Sequence, residues 1–531
     1  MTEQEAKDAT FERRPHAGGR SKVAHLCLAV LLVAIIAAGV GAWVVVGAGS
    51  AARRVSAEGA PERPVTAMDQ GAGLASNSPK LLADPTEARF VVLANRFDAP
   101  DFGCALQVSD DEGAHWLPVQ PVTALPSGVD KCYAPEVAFD GKGTLFYLFV
   151  GLAGGGNEPV GAFLATSGDR GRTFSPPRQV LGPLNFAVRM AIDRSGGGAD
   201  RLHLVWLHAG ADPPLGGFAP VPNPVMAAYS DDGGGSFSDP VVVSDAGRDL
   251  AVAPALALDD KGGVHVAYYD LVEDARDYRG LAGPVWEGTW SVVLATSTDR
   301  GERFGPGIVV DDEVRPWERV LLIFTMPPPS LVADGNRVCA AWSDARHGDA
   351  DAVVSCSTDR GRTWGGVARL NDDAPSSGPV QYLPILGLGA SGRLDAAFYD
   401  RRADPRNVRN DVSYTFSMDG GRTFAPNLRL SSNSFDARIG QQYLGAAAEG
   451  KVEFGSRMAL LASSSHVVVA WTDTRNSEPG TTGQDIFASA VRLTENGGTS
   501  WPRVAGVGVA AVGTLILSVV LVARRRRRPE G

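Results

Sequence analysis

Ser109-Asp110-Asp111-Glu112-Gly113-Ala114-His115-Trp116 is the first of six copies of one phrase, S-x-D-x-G-x-x-[FW]. The others are Ser167/Asp169/Gly171/Phe174, Ser230/Asp232/Gly234/Phe237, Ser297/Asp299/Gly301/Phe304, Ser357/Asp359/Gly361/Trp364 and Ser417/Asp419/Gly421/Phe424. Their starts lie 58, 63, 67, 60 and 60 residues apart, and a degenerate copy, Thr494/Asn496/Gly498/Trp501, follows after 77 more. The phrase has the chemistry of a tight hairpin turn: Ser and Asp oxygens accept backbone N–H groups, Gly supplies a positive φ, and the aromatic ring pins the turn to its sheet. Local bonding of this kind accounts for the residue types, so Asp111, Asp169, Asp232, Asp299, Asp359 and Asp419 read as folding devices and not as a site.

Each turn follows an apolar strand: Phe90–Ala94, Leu145–Val150, Leu202–Trp206, Val264–Tyr268, Val338–Trp342 and Leu394–Phe398, with a seventh at Val467–Trp471. Before each lies a further strand, as at Glu136–Asp140 and Ala255–Asp259. Four-stranded units repeating about every 60 residues predict an all-β propeller, which hides its sheet edges by closing radially. Counting strands gives seven blades and counting complete turns gives six. The seventh unit has strands at Arg457–Ser463, Val467–Trp471 and Gln484–Leu493 and little chain after them. Its fourth strand is therefore expected from the other end of the chain, at Pro64–Met68, with residues 49–63 as a flexible tether.

The turn phrase resembles the Asp boxes, or BNR repeats, of the sialidase-like propeller superfamily, and the resemblance covers nearly all of residues 78–501. Later blades add AWSDAR (Ala341–Arg346), AWTDTR (Ala470–Arg475) and IGQQYLG (Ile439–Gly445), which look like bacterial membrane or secreted members. The resemblance implies the fold; for activity it implies less, because Asp boxes lie on the face away from the sialidase active site and also occur in non-hydrolytic propellers.

A chain of 531 residues with 44% hydrophobic and 21% charged residues can bury a large core and is not a disordered tail. Net charge is -10; the first 22 residues carry +1 and residues 524–531 carry +4, so the body between them holds -15 and does not suit nucleic acid. Val23–Val46 and Val504–Ala523 contain no charged residue and are long enough to span a membrane. Basic residues before the first and after the second predict both termini in the cytoplasm, with an extracytoplasmic propeller between. The organisation expected is a 1–22 tail, a 23–48 span, a 49–77 linker, a 78–502 propeller, a 504–523 span and a 524–531 basic tail at the cell membrane. Residues 1–51 read alternatively as a signal peptide.

No HExxH or CxxC pattern is present, so neither a metal nor another cofactor is expected. Apart from Cys27 in the first span, Cys104, Cys132, Cys339 and Cys356 allow three pairings. The propeller layout brings Cys104 to Cys132 on the funnel face and Cys339 to Cys356 on adjacent strands, provided the Cα atoms lie within about 7 Å.

Aligning the starts of the inner strands gives Lys80, Glu136, Arg189, Ala255, Ser330, Ile385 and Arg457, so charge gathers on the arc of blades seven, one, two and three. Two arginines beside a lysine suit an anion such as a carboxylate, or else form an ion-pair network that pins blades together. A second set, Asp270, Asp344/Arg346, Asp400/Arg402 and Asp473/Arg475, falls on the loops between second and third strands, either as anion-gripping arginines with a general acid or as Asp caps paired with their own Arg.

The sialidase-like resemblance implies an arginine triad, a Tyr nucleophile with a Glu partner, and an Asp acid. Tyr443 or Tyr399, Glu136 or Glu449, and Asp400 or Asp84 could fill those roles, with Tyr443, Glu136 and Asp400 the leading set. No [FY]RIP phrase opens the first blade, where Ser76-Asn-Ser-Pro-Lys80 stands instead. Three readings follow: a membrane-anchored propeller that binds a glycan or protein at the cell envelope, using Lys80, Arg189, Arg457, Arg346, Arg402 and Arg475 with aromatics such as Trp286, Trp290 and Trp317; an exo-glycosidase acting on an anionic sugar; and a structural scaffold.

Overall fold

The computed structural model describes residues 54–65, 75–97, 101–117, 120–121, 125–155, 157–197, 199–208, 224–248, 250–272, 274, 288–317, 327–436, 438–439, 455–477 and 483–496. They belong to a unit Ala57–Leu493, apart from a few residues of a second unit made of Met1–Ser56 and Thr494–Gly531. Among the described residues no helix is long and apolar enough to cross a membrane; the spans read at 23–48 and 504–523 and both tails lie outside them.

Seven antiparallel sheets of four strands or more make a seven-bladed β-propeller. The inner strands are Ser76–Ala83, Lys131–Phe139, Asn185–Asp193, Ala251–Leu258, Ser330–Asp334, Gln381–Leu388 and Ala459–Ala462. Each pairs with a second strand: Val91–Phe97, Leu145–Ala153, Arg201–His208, Val264–Asp270, Arg337–Asp344, Leu394–Asp400 and His466–Asp473. These second strands are almost wholly buried, because each sheet is covered by a neighbouring blade on both faces and every side chain meets apolar surface. One cluster, for example, joins Val92 and Leu106 of blade one to Tyr147 and Phe149 of blade two.

The seventh blade is closed by the N-terminal segment, as its short C-terminal end required. Arg54–Gly59 lies outside Asp485–Asn496, and Arg63–Pro64 pairs with Ala488 and Phe487 of the same strand. The closing strand begins about ten residues earlier than the sequence suggested, so part of the expected 49–63 tether and 49–77 linker belongs to the propeller. The stretch Arg54-Val-Ser-Ala-Glu-Gly59 alternates apolar and polar residues, a period-two signal that its glycine and alanine content obscured. Residues 66–68 of the expected strand lie outside the described residues.

All six turns have the expected bonding, with additions. The Ser hydroxyl donates to the Asp carboxylate two residues on and accepts the Gly N–H four residues on, as in Ser357 Oγ to Asp359 Oδ1 at 2.7 Å and Gly361 N to Ser357 Oγ at 2.9 Å. The same carboxylate then takes both the backbone N–H and the hydroxyl of Thr363, and Thr173 and Thr423 repeat this at Asp169 and Asp419. The degenerate seventh copy falls mostly outside the described residues.

Each turn glycine also faces the preceding blade. A Cβ on Gly171, Gly234, Gly361 or Gly421 would stand 2.5, 2.6, 2.2 or 2.7 Å from Leu106, Leu164, Leu294 or Cys356, each on the third strand of the blade before. Three turns add an ion pair across the seam: Arg170 to Asp84, Arg300 to Asp193 and Arg360 to Asp259, at 2.9, 2.6 and 2.7 Å. The repeat is thus a blade-to-blade joint as well as a hairpin turn.

A methyl group at Gly361 would meet both a φ of 83° and Leu294. Gly361→Ala is expected to destabilise the fold by about 2–4 kcal/mol in denaturant titration. Gly366→Ala, with nothing within 4 Å of its would-be Cβ, is expected to match wild type. Equal midpoints for both variants would remove the seam role.

Both disulfides implied by the layout are present, Cys104–Cys132 with Cα atoms 5.5 Å apart and Cys339–Cys356 with 4.1 Å. The first ties the third strand of blade one to the inner strand of blade two, and the second crosses two strands of blade five.

Candidate functional site

Successive antiparallel strands put the six repeated turns on one face and the second-to-third-strand loops, with the links between blades, on the other, the funnel face. At that end the inner strands do something the apolar pattern did not announce. Ser78, Ala134, Ala187, Ala253, Leu383 and Gly455 all have positive φ, between 49° and 85°, each two residues before an aligned axial position. Strand pairing shifts register across this step in blades one, two, three, four and six, which makes each a β-bulge. The bulge leaves a carbonyl outside the ladder and re-aims the axial side chain.

The freed carbonyls and the axial side chains find one another. Glu136, fully buried, takes Lys80 Nζ on Oε2 at 2.5 Å, and on Oε1 both Arg457 Nη1 and Arg189 Nη1, the latter at 3.4 Å. Arg457 also donates from Nε to Pro79 O at 3.2 Å and from Nη2 to Pro135 O at 2.8 Å, so it spans blades seven, one and two. Arg189 Nε donates to Pro254 O at 3.0 Å and reaches blade four. The predicted cluster of Lys80, Glu136, Arg189 and Arg457 is therefore one contact network at the funnel.

Three cations stand against one carboxylate. Burial alone would raise the Glu136 pKa, but Arg457, Lys80 and Arg189 outweigh it and hold the group at about 2, so it stays ionised and is a poor acid or base near neutrality. Burial pushes Arg189 down to about 10 and lowers Lys80 despite the attraction of Glu136. Exposure decides which cation is available: Lys80 is 26% exposed, against 15% for Arg457 and 11% for Arg189. All three Arg457 nitrogens are bonded, whereas no hydrogen bond reaches Arg189 Nη2 among the described residues.

The loop set is differently employed. Asp344, Asp400 and Asp473 each accept the backbone N–H two residues on, from Arg346, Arg402 and Arg475, at 2.9, 3.0 and 2.8 Å, and Asp270 does so from Val272 at 3.1 Å. Each of the three arginines then pairs with its own Asp, at 2.5, 2.6 and 2.6 Å. Arg346 continues to Asp311, Arg402 to Asp372 and Arg475 to Glu62. These are capped loops with internally neutralised arginines.

The remaining candidates are spread out. Asp400 is buried and holds Ser413 Oγ at 2.8 Å beside Arg402. The Tyr399 hydroxyl donates to Thr472 O and accepts Thr472 N–H, both at 3.0 Å, and burial drives its phenol far above the ordinary range, so it does not serve as a nucleophile. Asp84 is in the Arg170 pair on the turn face, at the opposite end from the funnel. Trp290 is buried and donates to Asp274, which corrects its place among exposed aromatics; its position opposite the blade-four outer strand encloses it. Tyr443, Glu449, Trp286 and most of Ile439–Gly445 lie outside the described residues.

Arg96 was missed. It is 1% exposed, donates to the Tyr133 hydroxyl at 2.6 Å and lies over that ring, opposite Cys104 of the Cys104–Cys132 bridge; Tyr133 itself stands three residues before Glu136. Asn95-Arg96 interrupts the apolar run Val91-Val-Leu-Ala94, and such a break was the available signal.

No family model and no curated protein matches the chain. Among solved structures it is similar to a Hadza microbial sialidase, at 15% identity over 78% of this chain and 75% of that one, TM-score 0.40. It is also similar to an ulvan lyase of a polysaccharide lyase family, at 13% identity over 78% and 94%, TM-score 0.46, and to a protein of unknown function from Dyadobacter fermentans, at 13% over 82% and 99%, TM-score 0.44. These likenesses extend no further than the fold, and any functional reading rests on the site itself.

Proposed function

We propose that the chain is a membrane-anchored, extracytoplasmic propeller that binds an acidic glycan at the cell envelope through Lys80 and Arg189. The observation that carries this is the charge excess at the funnel: among the described residues three cations face one carboxylate, and the remaining N–H groups of Lys80 Nζ, beyond its bond to Glu136, and Arg189 Nη2 are left for a ligand. A carboxylate or sulfate would take both through charge-assisted hydrogen bonds. Binding is favoured over hydrolysis because Glu136 is locked as an ionised counter-ion, Asp400 is tied to Arg402 and Ser413, and Tyr399 is tied to Thr472. The apolar stretches 23–48 and 504–523 and their basic flanks support anchoring with both termini in the cytoplasm.

The test is binding of the full chain, in detergent, to uronate- and sialate-bearing oligosaccharides and to neutral counterparts. Acidic probes are expected to bind and to weaken with salt, and Lys80→Ala to lose about tenfold in affinity, the worth of one charge-assisted hydrogen bond. Equal binding of neutral probes, or no effect of Lys80→Ala, overturns the reading, and release of sugar from a sialoside would restore the hydrolase. Protease protection in sealed membranes checks the topology: only the tails should be cut from the cytoplasmic side.

A further inference from the structure

A second feature of the funnel face is built from three separate segments. Trp317 follows the outer strand of blade four, Tyr382 opens the inner strand of blade six, and Arg401 begins the loop after Leu394–Asp400. The Trp317 and Tyr382 rings lie 4.8 Å apart, and the Arg401 guanidinium sits 5.2 Å from the first centroid and 5.1 Å from the second. Tyr382 is fixed from below: its hydroxyl accepts Asn410 Nδ2 at 2.7 Å, and its ring packs 5.2 Å from that of buried Tyr399.

Two details separate this group from core packing. Trp342, Trp471, Trp290 and Trp364 spend their indole N–H on Asp344, Asp473, Asp274 and the Gly361 carbonyl, and those of Trp116 and Trp206 are buried. Trp317 is half-buried and its N–H is neither bonded nor buried among the described residues. Arg401 likewise differs from Arg346, Arg402 and Arg475: its bonds go to Asn410, the Asn407 carbonyl and Tyr382, and among the described residues no carboxylate pairs with it. An aromatic face, a free N–H donor at its edge and an unneutralised guanidinium complement a pyranose ring, whose C–H face stacks while its hydroxyls accept hydrogen bonds.

We infer that Trp317 and Arg401, backed by the buried Tyr382 ring, form a saccharide-stacking subsite on the funnel face, so that the ligand is an oligosaccharide and not a lone acidic sugar. This rests on the glycan-binding reading but uses different residues, which allows the two to fail separately. The experiment titrates the full chain with a panel of neutral tetrasaccharides built from glucose, mannose, galactose and N-acetylglucosamine, and with free glucuronate, following tryptophan fluorescence and calorimetry.

At least one neutral tetrasaccharide is expected to bind, with about tenfold loss in Trp317→Ala, recovery in Trp317→Phe, and no change in Lys142→Ala, in an exposed turn at the end away from the funnel. Glucuronate binding should be lost in Lys80→Ala. Absence of glucuronate binding with the tetrasaccharide result intact would sink the anion site and leave the subsite. Failure of every neutral tetrasaccharide, or binding indifferent to Trp317→Ala, overturns the subsite. Trp317-dependent binding of adenosine or of a tryptophan-containing peptide, without any sugar, would assign the platform to another occupant and overturn it equally.

Discussion

Glu136→Gln is expected to cost about 3–5 kcal/mol of stability, because it leaves buried cations without their counter-ion. Lys80, Arg189 and Arg457 come from blades one, three and seven, and Glu136 of blade two is the carboxylate they share. Lys80→Met should relieve part of the excess charge, so the double variant is expected to be more stable than Glu136→Gln alone, a coupling readable in a double-mutant cycle. The carboxyl also predicts a pH dependence. Its pKa falls from 4.5 to about 2 on folding, so its contribution is complete above about pH 4.5 and drains away as pH falls through 2. Acid titration of the wild type should show that slope and Glu136→Gln should lack it. A Glu136→Gln midpoint within about 0.5 kcal/mol of wild type would mean the network pins nothing.

A chain lacking residues 54–65 is expected to lose cooperative unfolding. That segment binds three blades. Ala60 N and Val65 N donate to Ala490 O and Ile486 O of blade seven, at 2.7 and 2.8 Å, and Glu62 takes Ser432 N–H of the link after blade six at 3.0 Å, together with Arg475. Arg63 donates to Ala114 O of the blade-one turn at 3.0 Å. Without it, Asp485–Asn496 is an open edge and the ring is unlatched. Limited proteolysis should cut the truncated chain in blade seven, and a synthetic 54–65 peptide should restore protection. A truncated chain that melts like the intact one would show the ring closed by blade packing alone. Glu62→Gln should be a milder version: burial raises the pKa of this carboxyl, but Ser432 and Arg475 outweigh it and keep it below its ordinary value. Its stabilisation is therefore present at neutral pH and lost as pH falls.

The fold was legible because its information is periodic. Six turns and seven apolar strands repeat a pattern whose bonding is local, and six of the seven predicted second strands lie inside the observed ones, Phe90–Ala94 starting one residue early. The seam role of Gly361 and its counterparts was not legible, since Leu294 lies 67 residues away and nothing in S-x-D-x-G names it. At the funnel, alignment alone brought Lys80, Glu136, Arg189 and Arg457 together, but not the bulges that aim them. Pro79, Pro135, Pro254 and Pro384 inside strand patterns were the missed signal, because proline within a sheet belongs at an edge or a bulge. Arg346, Arg402 and Arg475 looked available because a one-dimensional reading does not show Asp311, Asp372 and Glu62 beside them.

Ser56 Oγ and Thr494 Oγ1 lie 2.7 Å apart although 438 residues separate them. The ring's first strand therefore starts where its last one stops, so the blades themselves do not dictate where the ring is opened. A circular permutant joining those ends and opening at the second-to-third-strand loop of another blade keeps every strand neighbour it now has. The split blade would move around the ring, while the funnel residues of blades one, two, three and seven would stay where they are.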